Sequence, residues 1–269
     1  MKSSAWKKIG WEFSAIVTIA YRDFTKLLRD RPRMLVSLVF PILFIGILGN
    51  SLNTSIGKDI GFDFLTFVFV GVFIQSLFQS SAAGLVSLVE DRENDFSQEL
   101  FIAPVSRYSI IFGKIFGETL VSYTAGIGIL IFGFLVGVPF SPGHVFLLIL
   151  AGFAACFFGG AFGVLILPYA NSQRTLQQIF PFILFPQIFL AGVFNPIDKL
   201  PIVLFFLSRL TPLTYAVDLA RNAYYAGTPE AATRAVAFSP YLDFFVLAVL
   251  FVVFLVIGTM LFVRKERNR

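Results

Sequence analysis

Charge is scarce in this sequence. Asp, Glu, Lys and Arg make up 14% of its 269 residues, against about a quarter in a soluble domain. Hydrophobic residues make up 57%, more apolar surface than a water-soluble fold of this length can hide, though a bilayer accepts it. One cysteine, Cys156, excludes an internal disulfide, and one histidine, His144, cannot build a metal cluster. No G-x-x-x-x-G-K-[S/T] phosphate loop is present, so the chain does not bind and split ATP by that route. H-E-x-x-H, Cys/His metal spacing and a Ser/His/Asp set are missing too. The expectation is a chain that is not an enzyme and holds no cofactor. Carboxylates inside the apolar runs are also nearly missing, which weighs against a proton-driven carrier.

What is present is apolar length. A helical crossing needs roughly 20 mostly apolar residues to pass ~30 Å of hydrocarbon. Six stretches qualify: 34–52, 64–89, 111–138, 145–168, 179–194 and 241–263. The fifth is the shortest and contains Pro181 and Pro186, which predict a kink. The predicted fold is an all-α membrane protein with six transmembrane helices, its membrane domain covering 32–266.

Basic residues set the orientation. With the N-terminus inside, sixteen of the 21 Lys and Arg fall on the cytoplasmic side, which predicts a protein of the inner membrane with both termini cytoplasmic. The net charge of +5 is therefore a matter of topology, and no nucleic acid partner is expected. Residues 1–31 read differently. Trp6, Ile9, Phe13, Ile16, Ala20, Phe24 and Leu27 step by three or four opposite a charged face, as in a helix lying in the membrane interface. No secretory signal is read there, because Lys7, Lys8, Glu12, Arg22, Asp23 and Lys26 interrupt the segment. Small residues recur every fourth position at Ala151, Ala155, Gly159 and Gly163, at Gly133 and Gly137, and at Ser76, Ser80 and Gly84. That spacing lets helix backbones approach closely, within one chain or between two copies.

Two connecting segments stand out. After the second stretch, Glu90, Glu93, Asp95, Phe96, Glu99, Leu100 and Phe101 precede Pro104. Asp95 with Gln98 three residues on forms a capping box for a short helix that Pro104 ends, and Ser106 can cap the next span. The helix leaves Phe96, Leu100 and Phe101 facing lipid headgroups or a partner's cleft. The second segment, 195–240, is long and apolar for a loop; 202–207 and 214–226 read as short helices separated by Pro212. They fit a re-entrant outer hairpin or an outer cap packed on the bundle. Asp218 and Arg221, three apart, can pair on one face. Within the spans, Lys114 and Glu118 at i,i+4 predict a structural ion pair. Gln75, Gln79 and Gln187 either line a polar path or join helices.

Three runs together resemble the membrane subunit of type-2 ABC exporters. They are 90–107, followed by Gly113-Lys114; L-A-G-V-F-N-P at 190–196 with Leu200-Pro201; and T-P-L-T-Y-A-V-D-L-A-R at 211–221. The first is similar to the family's E-R-E-x-G-T-x-E-x-L-L-x-x-P-V-S-R run, with Asp95-Phe96 where Gly-Thr is common. Arg31-Pro32-Arg33 and Pro41 resemble the drug-export branch. The resemblance implies that 94–101 is a coupling helix docking into a separate ATPase, with Glu90, Glu93, Asp95, Phe96, Glu99, Leu100, Phe101 and Pro104 as its coupling residues. Two ATPase copies would carry ATP and Mg, and two permease copies would form the path for an amphipathic drug, lipid or glycolipid. Pro196, Pro201, Pro212, Tyr215, Asp218 and Arg221 would belong to the outer re-entrant element. The residues by themselves leave two other classes open, a membrane scaffold without a transport path and a secondary carrier.

Overall fold

The computed structural model describes residues 2–49, 63–93, 105–169 and 172–267. Among the described residues every regular element is helical, as expected. Helix α1 (Lys2–Arg29) is followed directly by α2 (Arg31–Leu43). Pro41 lies inside α2, and the backbone widens into a π-helical stretch over Phe44–Gly49; proline has no N–H to close the regular ladder. Helix α3 (Phe64–Gly84) starts at Asp63, whose carboxylate accepts the Thr66 N–H at 2.9 Å. A turn at Leu85 and Val86 leads into α4 (Ser87–Glu93).

Helix α5 (Arg107–Val136) is capped by Ser106, which accepts the Ser109 N–H at 3.0 Å. It ends at Gly137 with φ 95°, a left-handed conformation open to glycine. Helix α6 (Pro142–Ile166) returns antiparallel and tightens into a 3-10 turn at Leu167–Tyr169. Helix α7 (Gln173–Leu190) keeps Pro181 and Pro186 within it. Helices α8 (Ile202–Leu210) and α9 (Pro212–Tyr225) meet at 87°, where Pro212 prevents α8 from continuing. A short α10 (Pro229–Ala235) precedes α11 (Pro240–Arg267).

Four helices are long and apolar enough to cross a bilayer, Phe64–Asp91, Arg107–Val136, Pro142–Tyr169 and Pro240–Lys265; α8 with α9 makes a fifth if taken as one broken span. Six crossings were expected, and the difference lies in the first and fifth stretches. Met34–Ile47 is a shorter apolar helix, with residues 50–62 outside the described residues. Helix α7 has 18 residues and opens on Gln173, Arg174, Gln177 and Gln178, which lowers its apolar length.

The bundle is built around α3. Of its apolar window 83% is buried, against 22% for α11, and Phe67, Phe69, Phe73 and Phe78 are fully enclosed. The small-residue stripe of α6 makes this possible. A Cβ on Gly163 would come within 2.6 Å of the Ala82 carbonyl oxygen, and one on Gly159 would overlap that of Phe78. Ser81 Oγ also donates to the Cys156 carbonyl at 2.7 Å. These small residues therefore seal two helices of one chain. Helix α1 packs on α5 in the same manner, where Gly113 and Gly117 would place a Cβ 3.0 Å from the Cα atoms of Ile16 and Ala20. Ile19, Ala20 and Asp23 face α5, while Trp11 and Phe13 stay exposed.

Candidate functional site

At the end of the bundle where α1 packs, four charges meet in a nearly closed network. Lys114 of α5 donates to Asp23 of α1 at 3.0 Å and to Asp91 of α4 at 3.2 Å. Arg22 of α1 reaches the other Asp91 oxygen at 2.5 Å. The side chains of Lys114, Asp23 and Asp91 are only 3%, 4% and 6% exposed. Two cations and two anions balance, which is what lets such a cluster sit away from water. One turn further along α1, Lys26 pairs with Glu90 at 3.0 Å on the surface.

Helix α1 also reaches the start of α5, where the Glu12 carboxylate accepts the Ser106 N–H at 3.1 Å from each oxygen. The segment between α4 and α5 is thus held at both ends by one helix. Arg22 and Lys26 fasten its entry, and Glu12 fastens its exit. The segment's own candidates, Asp95, Phe96, Glu99, Leu100, Phe101 and Pro104, lie outside the described residues, as does the side chain of Glu93. Glu90 is described, and it sits in the surface pair with Lys26.

The expected Lys114–Glu118 pair is not the one that forms. Lys114 turns to α1 and α4, whereas the Glu118 carboxylate lies against α3 beside Gly84, 3.3 Å from Ser87 Oγ. Gly84 has no Cβ in the space that carboxylate occupies. Asp23, Arg22 and Asp91 escape sequence reasoning because their partners lie 23 to 91 residues away, on other helices. One signal was readable: Asp23 falls three residues after Ala20, on the stripe that α1 buries.

Beside this network a cavity of about 500 Å³ opens between α1, the α3–α4 junction and α7. Gln79 lines it and accepts a hydrogen bond from Gln75, so these two glutamines pair along α3 instead of joining helices. Gln173 and Gln177 line the opposite wall, followed by Phe180, Pro181 and Leu184 on the same face of α7. Gln187 is not part of it; its side-chain amide donates back to the Ile183 carbonyl at 3.3 Å.

The far end of the bundle holds the second set of candidates. Pro196 precedes a 3-10 turn at Ile197–Lys199, Pro201 precedes α8, and Pro212 begins α9. Tyr215 donates to the Arg209 carbonyl at 2.7 Å and stacks on Phe238. Asp218 and Arg221 share α9 without forming the expected ion pair. Arg221 donates to the Gly192 carbonyl at 2.7 Å and lies 3.5 Å over the Phe67 ring. Asp218 accepts the N–H groups of Ala237 and Phe238 at 2.9 and 2.8 Å. Asn222 ties that corner to Asp243 of α11 at 3.1 Å. Each side chain fastens a different loop onto α9, because a backbone partner lies nearer than its neighbour one turn away.

Comparison with known proteins covers both ends at once. The ABC-2 type transporter family model matches residues 14–225. The inner membrane transport permease YadH of Escherichia coli (strain K12) is 28% identical over 214 residues, spanning 78% of this chain and 82% of that one. The ycf38 protein of Cyanophora paradoxa is 25% identical over 202 residues, 73% of this chain and 70% of its own length. The match begins inside α1 and ends on the last residue of α9, taking in the ion network, the cavity and the bent helix pair, and the chain belongs to the ABC-2 type transporter family.

Proposed function

We propose that this chain is the membrane subunit of an ATP-driven exporter and does no catalysis itself. Membership of the family implies association with an ABC ATPase. In this reading residues 94–101 are the docking helix for that ATPase, two copies of which carry ATP and Mg. Two copies of the permease, each with six crossings and both termini inside, enclose the path of an amphipathic drug, lipid or glycolipid. ATP binding draws the ATPases together and the docking helices with them. The bundles then shift toward an outward-open state, because the contacts made there favour it. The pair α8–α9 forms the re-entrant element on the outer side.

One observation carries this reading: α1 fastens both ends of the 94–104 segment to the bundle, through Arg22, Lys26 and Glu12. A push on that segment is delivered to α1, α4 and α5 together. Co-expression with the partner ATPase provides the test. Phe96→Ala and Leu100→Ala are expected to lower ATP hydrolysis by the assembled complex and export from cells roughly tenfold, the effect of losing an apolar anchor of about 1.4 kcal/mol. Hydrolysis and export at wild-type levels in both variants would remove the docking role.

A further inference from the structure

We propose that Asp218 and Asp243 form a proton-binding pair whose single proton fastens α9 to α11. The pair sits at the end of the bundle opposite α1, and the inference does not rest on the exporter reading. Both side chains are buried, Asp218 at 1% and Asp243 at 0% exposure, and the two carboxyl groups lie within hydrogen-bonding reach of each other. Three of their four oxygens have donors. Asp218 Oδ1 accepts the Ala237 N–H at 2.9 Å, and its Oδ2 accepts the Phe238 N–H at 2.8 Å. Asp243 Oδ2 accepts the Asn222 amide at 3.1 Å. The fourth oxygen, Asp243 Oδ1, is buried and meets no donor among the described residues. A bare buried oxygen is costly, and two ionised carboxylates in contact are costlier. One hydrogen on Asp243 Oδ1, donated to a free lone pair of Asp218, satisfies that oxygen and removes one of the two charges.

No cation takes the place of that hydrogen. Among the described residues neither Asp218 nor Asp243 forms an ion pair. On α9, the field of Arg221 reaches Asp218, but its hydrogen bonds go to the Gly192 and Val193 carbonyls. Tyr215, also on α9, donates to the Arg209 carbonyl. Arg209, at the end of α8, lies over the rings of Phe205 and Phe238 at 4.5 and 5.3 Å. Helix α10 carries Glu230 and Arg234, both exposed, and on α6 His144 stacks on Tyr224. The field of Arg221 favours the charge on Asp218, which leaves the proton to Asp243. Through this pair α9 holds both the 236–239 stretch and the first turn of α11. Loss of the proton puts two like charges in a closed corner, and their separation frees the Ala237 and Phe238 N–H groups. In the opened corner both carboxyls ionise as ordinary ones do, near pH ~4. The closed corner therefore binds one proton more, so it is favoured by acid and lost as pH rises.

Amide hydrogen exchange on the full-length protein in micelles, resolved to 236–239 by mass spectrometry, tests this directly. With intrinsic exchange rates divided out, wild-type protection of Ala237 and Phe238 is expected to fall as pH is raised from neutral. The limiting slope is about tenfold per pH unit, that of one proton released. Asp243→Asn sets an N–H where the proton sits, so its protection should stay level over the same range. Its unfolding midpoint at neutral pH should equal or exceed that of the wild type. Asp218→Asn, which takes an acceptor from one of two backbone N–H groups, should lower the midpoint. Wild-type protection that ignores pH overturns the proposal, as does a pH dependence that survives in Asp243→Asn. A midpoint that falls as far in Asp243→Asn as in Asp218→Asn overturns it too. Alkaline protection that follows sodium concentration does the same, since it puts a metal cation where the proton is assigned. The wild-type profile needs no variant, so a substitution that fails to fold leaves the test intact. Neither ATP hydrolysis nor export is measured, and the exporter reading stands or falls apart from this result.

Discussion

At Lys114 one ammonium is shared by two carboxylates brought from different helices, Asp23 at 3.0 Å and Asp91 at 3.2 Å. A buried charge is tolerated only with its partner in place, so removing the cation costs more than the pair contributes. Lys114→Ala is expected to destabilise the fold by about 3–5 kcal/mol, measured by unfolding in micelles. Most of the loss belongs to Asp23, since Asp91 keeps Arg22 at 2.5 Å. Adding Asp23→Asn should return part of it, giving a coupling of about 0.5–3 kcal/mol in the double-mutant cycle; strict additivity would refute the assigned pair. Sequence spacing suggested Glu118 instead, because i,i+4 neighbours on one helix are the pairs that a sequence makes visible. Tertiary partners 91 and 23 positions from Lys114 carry no such mark. Neither the burial of Asp23, which the sequence reading counted among the charges interrupting the apolar stripe of α1, nor the identity of its partner was read from the sequence.

Among the elements, α3 and α11 are both apolar throughout, yet one is the axis of the bundle and the other faces outward along most of its length. Hydrophobic periodicity cannot separate them, because lipid and protein interior select the same side chains. The small-residue stripes separate them better. Gly159 and Gly163 mark where α6 lies on α3, and both were legible as packing positions. Gly159→Val places its Cβ into the Phe78 carbonyl, a backbone atom with no rotamer to escape to. A loss of about 1–3 kcal/mol is expected from overpacking, seen as a lower unfolding midpoint in micelles. Gly10→Ala in α1, where a Cβ meets nothing within 4 Å, should be neutral or gain up to about 1 kcal/mol of helix propensity. Equal behaviour of the two variants would mean that α6 does not approach α3 as described. The bend between α8 and α9 was equally legible, since Pro212 dictates it. The roles of Asp218 and Arg221 were not, because each is satisfied by a loop backbone whose path the sequence leaves unstated.

Orientation belongs to the whole molecule, since every crossing inverts the next and one error reverses all that follow. The excess of Lys and Arg at the α1 end of the bundle predicts that this end lies inside. A near-silent background exists for testing it, because the single native thiol, Cys156, is fully buried between α6 and α3. Intact cells carrying the wild-type chain should therefore give little labelling with a membrane-impermeant maleimide. Asn195→Cys, at an exposed position of the far end, should label in intact cells. Gln98→Cys, in the segment outside the described residues, should label only once the inner face is opened. The opposite pattern would put Glu12, Arg22 and Lys26 in the wrong compartment, where no ATP-fuelled partner could use the segment they fasten. The docking reading thus depends on a sidedness that the ion network does not fix by itself, which makes the labelling pair the measurement on which it turns.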